Sequence, residues 1–359
     1  MKIPKIGKMP KNFFDEVIYP NLGSKDERVV VGPQHGVDFG VIEVGEHVII
    51  NTSDPVFVVP EYGWERSGWF AVHILASDEV VSGVPPKYLS IDLNLPPDID
   101  MDHLRTLWRT ISEECKKLGI SITSGHTGRY ENCDYPMVGG ATLLGIGEKE
   151  GYVTPKMARE GDKIFITKGP AIETTGILAT MFPQVLEETY GSSFVKRAQA
   201  VFWEQSVVKE ALLANKVGLR ENGVTSMHDG TEYGVWGGLI EMARASNVNF
   251  EIQEEQLHVK EAVRKTVKRF SELTGVDINP FEAISEGTLL GTVRPKKAEL
   301  LVENIRREGI DVWIIGEVTS GGGNVFLKDK RGNKRKIEYP EQDPFWLAFY
   351  KTIDVLSQE

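Results

Sequence analysis

Three aspartates stand in stretches that are otherwise apolar. Asp38 follows a glycine-rich turn, Gly32-Pro-Gln-His35-Gly36-Val, and leads into Phe39-Gly-Val-Ile. Asp54 closes the strand-like run that begins at His47 and passes through Asn51-Thr52-Ser53. Asp78 falls in His73-Ile-Leu-Ala-Ser-Asp78-Glu-Val-Val. A helix over Trp69 to Val81 would put Ala71, Ile74, Asp78 and Val81 on one face. A carboxylate buried on that face is costly unless a partner or a cation meets it. Hard carboxylate oxygens suit Mg²⁺, which keeps a few protein ligands and completes its shell with substrate phosphates. Taken singly, each aspartate is better read as a turn, cap or surface residue. As a series they point to a Mg-nucleotide site.

A turn of matching chemistry lies far along the chain, in Met227-His228-Asp229-Gly230-Thr-Glu-Tyr-Gly234-Val-Trp-Gly237-Gly238. It has the pattern of a strand end, a glycine-rich turn and a helix start. Glycines let backbone approach a ligand, and a helix N-terminus presents free N–H groups to an anion. Tight helix packing explains the same glycines. No Gly-Lys-Ser/Thr follows, so this is not a Walker loop, nor does it match the dinucleotide fingerprint. Ser124-Gly125-His126-Thr127-Gly128 is a second polar strand end. His35, His126 and His228 all sit in such turns, yet no His-x-x-x-His or cysteine pair supports zinc. Cys115 and Cys133 have no histidine close in sequence, and no Gly-x-Ser-x-Gly elbow offers a serine nucleophile.

The elements that must position these residues are of mixed type. A chain of 359 residues suggests two domains, and its 41% hydrophobic content permits a sizeable core. A net charge of −11 argues against a nucleic-acid partner held by phosphate neutralisation. Two cysteines fit a reducing cytoplasm. The basic start, Met1 to Lys11, lacks the apolar core of a signal peptide, and no run reaches the length of a membrane span.

Strands are expected over Arg28 to Val31, Phe39 to Ile42, His47 to Asn51, Tyr88 to Leu95, Ile120 to Gly128 and Met137 to Ile146. Asp102 is expected to cap a helix from His103 to Leu118. Beyond a boundary near Gly151 to Gly161, a strand at Lys163 to Thr167 opens a second half. Helical periodicity then fills most of Glu173 to Val217, interrupted at Pro183 and Gly191. Leu289 to Val293, Lys297 to Arg307 and Val312 to Val318 read as strand, helix and strand. Strands and helices mixed in both halves argue an α/β or α+β fold. The expected division is a tail at 1–27, domains at 28–155 and 160–340, and a helical tail at 341–359.

Several stretches occur in a fixed order: Gly-Pro-x-x-Gly-x-Asp38-x-x-Val-Ile, Thr52-Ser-Asp54, Ser77-Asp78-Glu-Val-Val-Ser-Gly83-Val-Pro, Gly125-His-Thr, Gly139-Gly140-x-x-x-Gly and Met227-His-Asp229-x-Thr. With Ser285-Glu-Gly-Thr-Leu-Leu and Ile314-Ile-Gly-Glu-Val, the series resembles the PurM-like (aminoimidazole ribonucleotide synthetase) superfamily over roughly Val29 to Thr319. Within it the look is closest to the hydrogenase maturation factor HypE and its unassigned relatives.

The resemblance implies a two-domain fold, with the N-terminal sheets of a homodimer joining into a barrel-like core and an α/β C-terminal domain. It implies ATP and Mg²⁺ at a cleft near that interface, with an unidentified small-molecule or protein acceptor. By position, Asp38, Asp54 and Asp78 look like metal ligands. Gly36, Thr52, Ser53, Gly125, His126, Thr127 and Asp229 look like nucleotide contacts. Asp229, with His35 or His126, looks like the catalytic set. The expected chemistry activates an oxygen as a phosphorylated intermediate or phosphorylates a small acceptor; the alternative is a non-catalytic ATP-binding partner in metallocentre maturation. HypE proteins end in Pro-Arg-Ile-Cys, and no cysteine follows Cys133 here, so HypE's reaction on its own tail is not expected.

Overall fold

The computed structural model of the chain describes residue 9 and residues 11–358, so Met1 to Lys8 and Pro10 of the basic start lie outside the described residues. Its first half opens with a single turn, α1 (Lys11–Phe13), which continues as short non-α turns to Asn21. Strands β1 (Val29–Val31), β2 (Gly40–Val44), β3 (His47–Phe57), β4 (Pro86–Leu95), β5 (Ser121–Arg129) and β6 (Met137–Glu148) form one sheet, with helices α2 (Trp64–Val80) and α3 (Met101–Leu118) inserted among them. The strand order is β1-β2-β3-β6-β4-β5. Only β4 and β5 run parallel, because α3 carries the chain across between them. Period-two burial along β3 and β4 packs Val48, Ile50, Leu89, Ile91 and Leu93 under the helices.

In the second half, β7 (Lys163–Thr167) is followed by α4 (Ile172–Met181), α5 (Pro183–Tyr190), α6 (Ser192–Ala200) and α7 (Val208–Asn215). Next come β8 (Val224–Asp229), α8 (Gly234–Ser246), β9 (Val248–Gln253), α9 (Glu261–Thr274), β10 (Leu289–Val293), α10 (Ala298–Arg307), β11 (Val312–Ser320), β12 (Val325–Lys328), β13 (Lys334–Ile337) and α11 (Pro344–Leu356). The sheet order is β13-β12-β9-β11-β7-β10-β8. β10 and β11 both pair antiparallel with β7, so the expected strand, helix and strand straddle it. Neither sheet closes on itself. The largest apolar cluster takes residues from both halves, Val41 and Leu143 with Val207, Ala211 and Met227. No helix among the described residues is long and apolar enough to cross a membrane.

Three expectations need correction. Asp54 does not close its strand: β3 runs on to Phe57, with Asp54 paired to Ala141. The α3 cap is Asp100, whose side chain accepts from Asp102 N at 2.7 Å and His103 N at 3.3 Å. The single-face reading of α2 also fails. Of the expected face Val81 is enclosed, but Ala71, Ile74 and Asp78 are less covered than Ser77, Glu79 and Val80, although the Asp78 carboxyl itself is desolvated. The helix lies between the first sheet and the second half, so nearly its whole circumference is covered.

Candidate functional site

Residues from both halves meet where α2 reaches β8. Asp38 sits on the turn before β2, Thr52 and Asp54 on the helix-covered face of β3, and Asp78 in the last turn of α2. The Thr52 hydroxyl donates to the Asp38 carbonyl at 2.8 Å and stands 3.4 Å from Asp78 Oδ2. The second half brings His228 and Asp229 at the end of β8. His228 Nδ1 lies 2.9 Å from Asp38 Oδ2 and 3.5 Å from Asp229 Oδ1. Its Nε2 is 3.0 Å from Glu241 Oε2 on α8, and the Tyr339 hydroxyl donates to Glu241 Oε1 at 2.7 Å. Gly36 makes the close fit possible: its φ is +68°, and a Cβ there would stand 2.9 Å from the Glu241 Cβ.

Negative charge dominates the seam. Burial pushes the Asp78 carboxyl well above the ordinary range, and Asp229, Asp54, Asp38 and Glu286 push it further. Burial raises Glu286 in the same way, with Asp229 and Glu173 as its charged neighbours. Burial opposes a charged His228, but Asp38, Asp229 and Glu241 outweigh it and hold the imidazole well above its usual value. Asp229 is fully enclosed, and its Oδ2 receives no hydrogen bond from any described residue. Buried oxygens left idle in this way are the mark of an ion or ligand site. Asp38, His228 and Asp229 each offer one atom to a common point, all within 4.8 Å of one another. The carboxylate oxygens fit a divalent cation such as Mg²⁺, and His228, whose charged form these carboxylates favour, stands beside them as a charge partner rather than a ligand.

Of the residues singled out by sequence, Gly36, Asp38, Thr52, Asp54, Asp78 and Asp229 come together here. Ser53 faces the other side of β3, bonded to Thr142 Oγ1 at 2.7 Å. Gly125, His126 and Thr127 lie exposed on the edge strand β5, in the rows Asp54–Ala141–Ile91–Gly125 and Pro55–Gly140–Asp92–His126. Three strand spacings separate them from β3, about 14 Å. His126 shares its outer face with Ser53 and rests against the Tyr130 hydroxyl. His35 is turned to the N-terminal segment, with the Phe14 and Tyr19 rings each at 5.4 Å. Burial lowers its pKa, and Lys11 adds to the effect.

Sequence reasoning did not single out Glu79, Glu173, Glu241 or Glu286 as functional. Glu286 and Glu79 carried a signal only as members of the Ser285-Glu-Gly-Thr and Ser77-Asp78-Glu-Val-Val stretches. Glu79, Glu173 and Glu241 are glutamates within helices, the commonest kind of solvated residue, and only tertiary packing distinguishes them.

Two family models match the chain. The N-terminal domain of AIR synthase related protein matches residues 36–146, and the C-terminal domain of the same family matches residues 159–328. A putative hydrogenase expression/formation protein of Methanocaldococcus jannaschii is 24% identical over 356 residues, covering 96% of this chain and 98% of that one. A thiamine-monophosphate kinase of Pyrococcus abyssi is 29% identical over 84% of this chain and 87% of its own length. Carbamoyl dehydratase HypE of Escherichia coli is 27% identical, covering 81% and 80%. Among solved structures, a chain of the HypE–HypF complex aligns with a TM-score of 0.68 at 22% identity, over 91% of this chain and 99% of that chain. Hydrogenase maturation protein HypE in complex with ATP aligns with 0.63 at 22% identity, over 93% of each. At that identity the structures speak for the fold.

Proposed function

The chain belongs to the AIR synthase related family, and from that premise we propose that it is an ATP- and Mg²⁺-dependent enzyme. Its chemistry would activate an oxygen as a phosphorylated intermediate or phosphorylate a small acceptor. The carrying observation is the convergence of Asp38, Asp54, Asp78 and Asp229 from both halves, with an idle buried oxygen on Asp229. A loose phosphoryl-transfer transition state asks for positioning and charge neutralisation rather than a covalent nucleophile.

In this reading Asp38, Asp54, Asp78 and Asp229 hold Mg²⁺, which when bound neutralises phosphate charge and polarises the P–O bond. Thr52 fixes the Asp38 backbone and orients Asp78. Glu241, itself held by Tyr339, sets the His228 ring so that Nδ1 faces the aspartates. His35, from the turn that carries Gly36, is retained as a phosphate partner.

We place Ser53 and His126 at the outer face of the first sheet, with Gly125 and Thr127 beside them on its exposed edge strand β5, where a second copy would sit in a homodimer. Exposed Val44, Met137 and Ile146 on the same sheet support that placement. Ile146→Glu should shift the protein to monomer in sedimentation equilibrium; an unchanged mass would remove the proposal.

Calorimetric titration of ATP with and without Mg²⁺ tests the site. Binding should require Mg²⁺ and be lost in Asp78→Asn and Asp229→Asn with the fold intact. Absence of binding at millimolar ATP would overturn the reading. The relative named for hydrogenase expression/formation, matched along 98% of its length, favours a second reading, a non-catalytic ATP-binding partner in metallocentre maturation. Turnover separates the two, since the partner reading requires saturable binding without ADP release.

A further inference from the structure

Next to the aspartates, on the side of the second half, lies a buried polar cluster that the metal set does not use. Glu173 stands in the first turn of α4, and its Oε2 accepts the Glu286 N–H at 3.1 Å. Glu286 Oε1 accepts the Gly287 N–H at 3.0 Å, and the Ser77 hydroxyl also stands beside this carboxyl. Gln205 is 0% exposed, and neither end of its amide has a partner among the described residues. A Cβ on Gly176 would stand 2.6 Å from the Gln205 Nε2, and one on Gly287 would stand 2.7 Å from its Cα. Residues 173 and 176 share a helix face, so the amide lies along the side of α4 that carries Glu173. An enclosed amide with both ends idle costs about 2 kcal/mol or more, unless something completes it.

The charge of the cluster decides what that something is. The strongest charges felt at Glu173 are those of Glu232, Asp343 and Asp229, all negative. Lys168, the cation nearest along the chain, is engaged by Glu210 and by the Glu204 and Ser206 carbonyls. The N-terminus of α4 offers no seat for an anion either. The Ile172 N–H is taken by Ser285 Oγ and the Thr174 N–H by the Ile284 carbonyl. A phosphate or carboxylate is therefore repelled here, whereas planar N–H donors match paired carboxylates.

Building on the phosphoryl-transfer reading above, we propose that this cluster seats a cationic nitrogen group of the acceptor, an ammonium, amidinium or guanidinium, against the Glu173 and Glu286 carboxylates beside the Gln205 amide. The group is a recognition handle and takes no part in the transfer.

The test, run at about pH 8.5 so that Glu173 is ionised, is the thermal midpoint of the full chain titrated with methylguanidinium or with neutral N-methylurea. Wild type, Glu173→Gln and Gln205→Met are compared, each with and without Mg·ATP. Methylguanidinium should raise the wild-type midpoint saturably and N-methylurea should not. The half-saturating concentration should rise about tenfold or more in Glu173→Gln, the loss expected for one charge-assisted hydrogen bond, and also rise in Gln205→Met. Mg·ATP binding, retained in both variants, reports that they fold. Equal protection by N-methylurea, no protection of wild type, or an unchanged Glu173→Gln would overturn the proposal. Protection by methylguanidinium in a wild type that fails to bind Mg·ATP would overturn the acceptor role and the phosphoryl-transfer reading together, and leave the cation seat.

Discussion

At Glu173, burial and charge repulsion leave a signature in the pH dependence of stability. Burial first, then Glu232, Asp343 and Asp229, lift this carboxyl from 4.5 to about 8. Between those values the folded chain keeps a proton that the unfolded chain has released, so stability falls as pH rises through the window. Glu173→Gln removes the titration and keeps an oxygen for the Glu286 N–H. In EDTA, urea midpoints of the variant should change less than wild type between about pH 5.5 and about pH 8.5, with a gain of about 2 kcal/mol at the upper end. Parallel curves would refute the assignment. Gly36→Ala tests the neighbouring contact. Its φ of +68° and the 2.9 Å approach to Glu241 predict a loss of about 1–2 kcal/mol in the same assay. Asp38 and Asp229 were legible because an aspartate beside glycines at a strand end is conspicuous. Glu241 and Glu173 were not, because nothing local separates a glutamate that faces a site from one that faces water.

At the scale of the element, α3 shows how a cap is chosen. Asp100 and Asp102 are equally good capping residues by type. The backbone decides, since Asp100 is extended (φ −70°, ψ 143°) while Asp102 already lies within the helix. Asp100→Ala should cost about 1 kcal/mol in thermal or urea unfolding, whereas Asp102→Ala, which loses only an exposed pair with Arg105, should change it by a few tenths at about the limit of measurement. The reverse order would restore the sequence expectation. Most of the strands, β9 apart, and α8 were legible from their periods and glycines. The short β12–β13 hairpin was not, because Lys334-Arg-Lys carries no apolar alternation and pairs only because β9 leaves an edge for β12.

At the scale of the molecule, the two sheets are joined by one core rather than linked as separate bodies. Val41, Leu93 and Leu143 of the first half pack in the same cluster as Val207, Ala211 and Met227 of the second. The chain should therefore unfold in urea as one transition, with tryptophan fluorescence and far-ultraviolet dichroism coincident. Two separated transitions would show that the seam is an interface that opens on its own. If the seam is a single unit, the site it contains should be lost and regained with the fold, and Mg·ATP should raise the midpoint by mass action.

Sequence by itself determined the element types, the two-sheet organisation, the family and most of the acidic residues at the seam. Those properties follow from local period, turn chemistry and ordered motifs, all of which are written along the chain. Tertiary structure alone decided which carboxylates share one electrostatic field, that His228 lies between Asp38, Asp229 and Glu241, and that His126 stands on the opposite face of the sheet from Asp54. It also decided that Gln205 is enclosed with idle ends. The physical reason is that burial and Coulomb interaction depend on distance through space, and residues 38, 78, 173, 229 and 286 become neighbours only once both sheets have closed on α2.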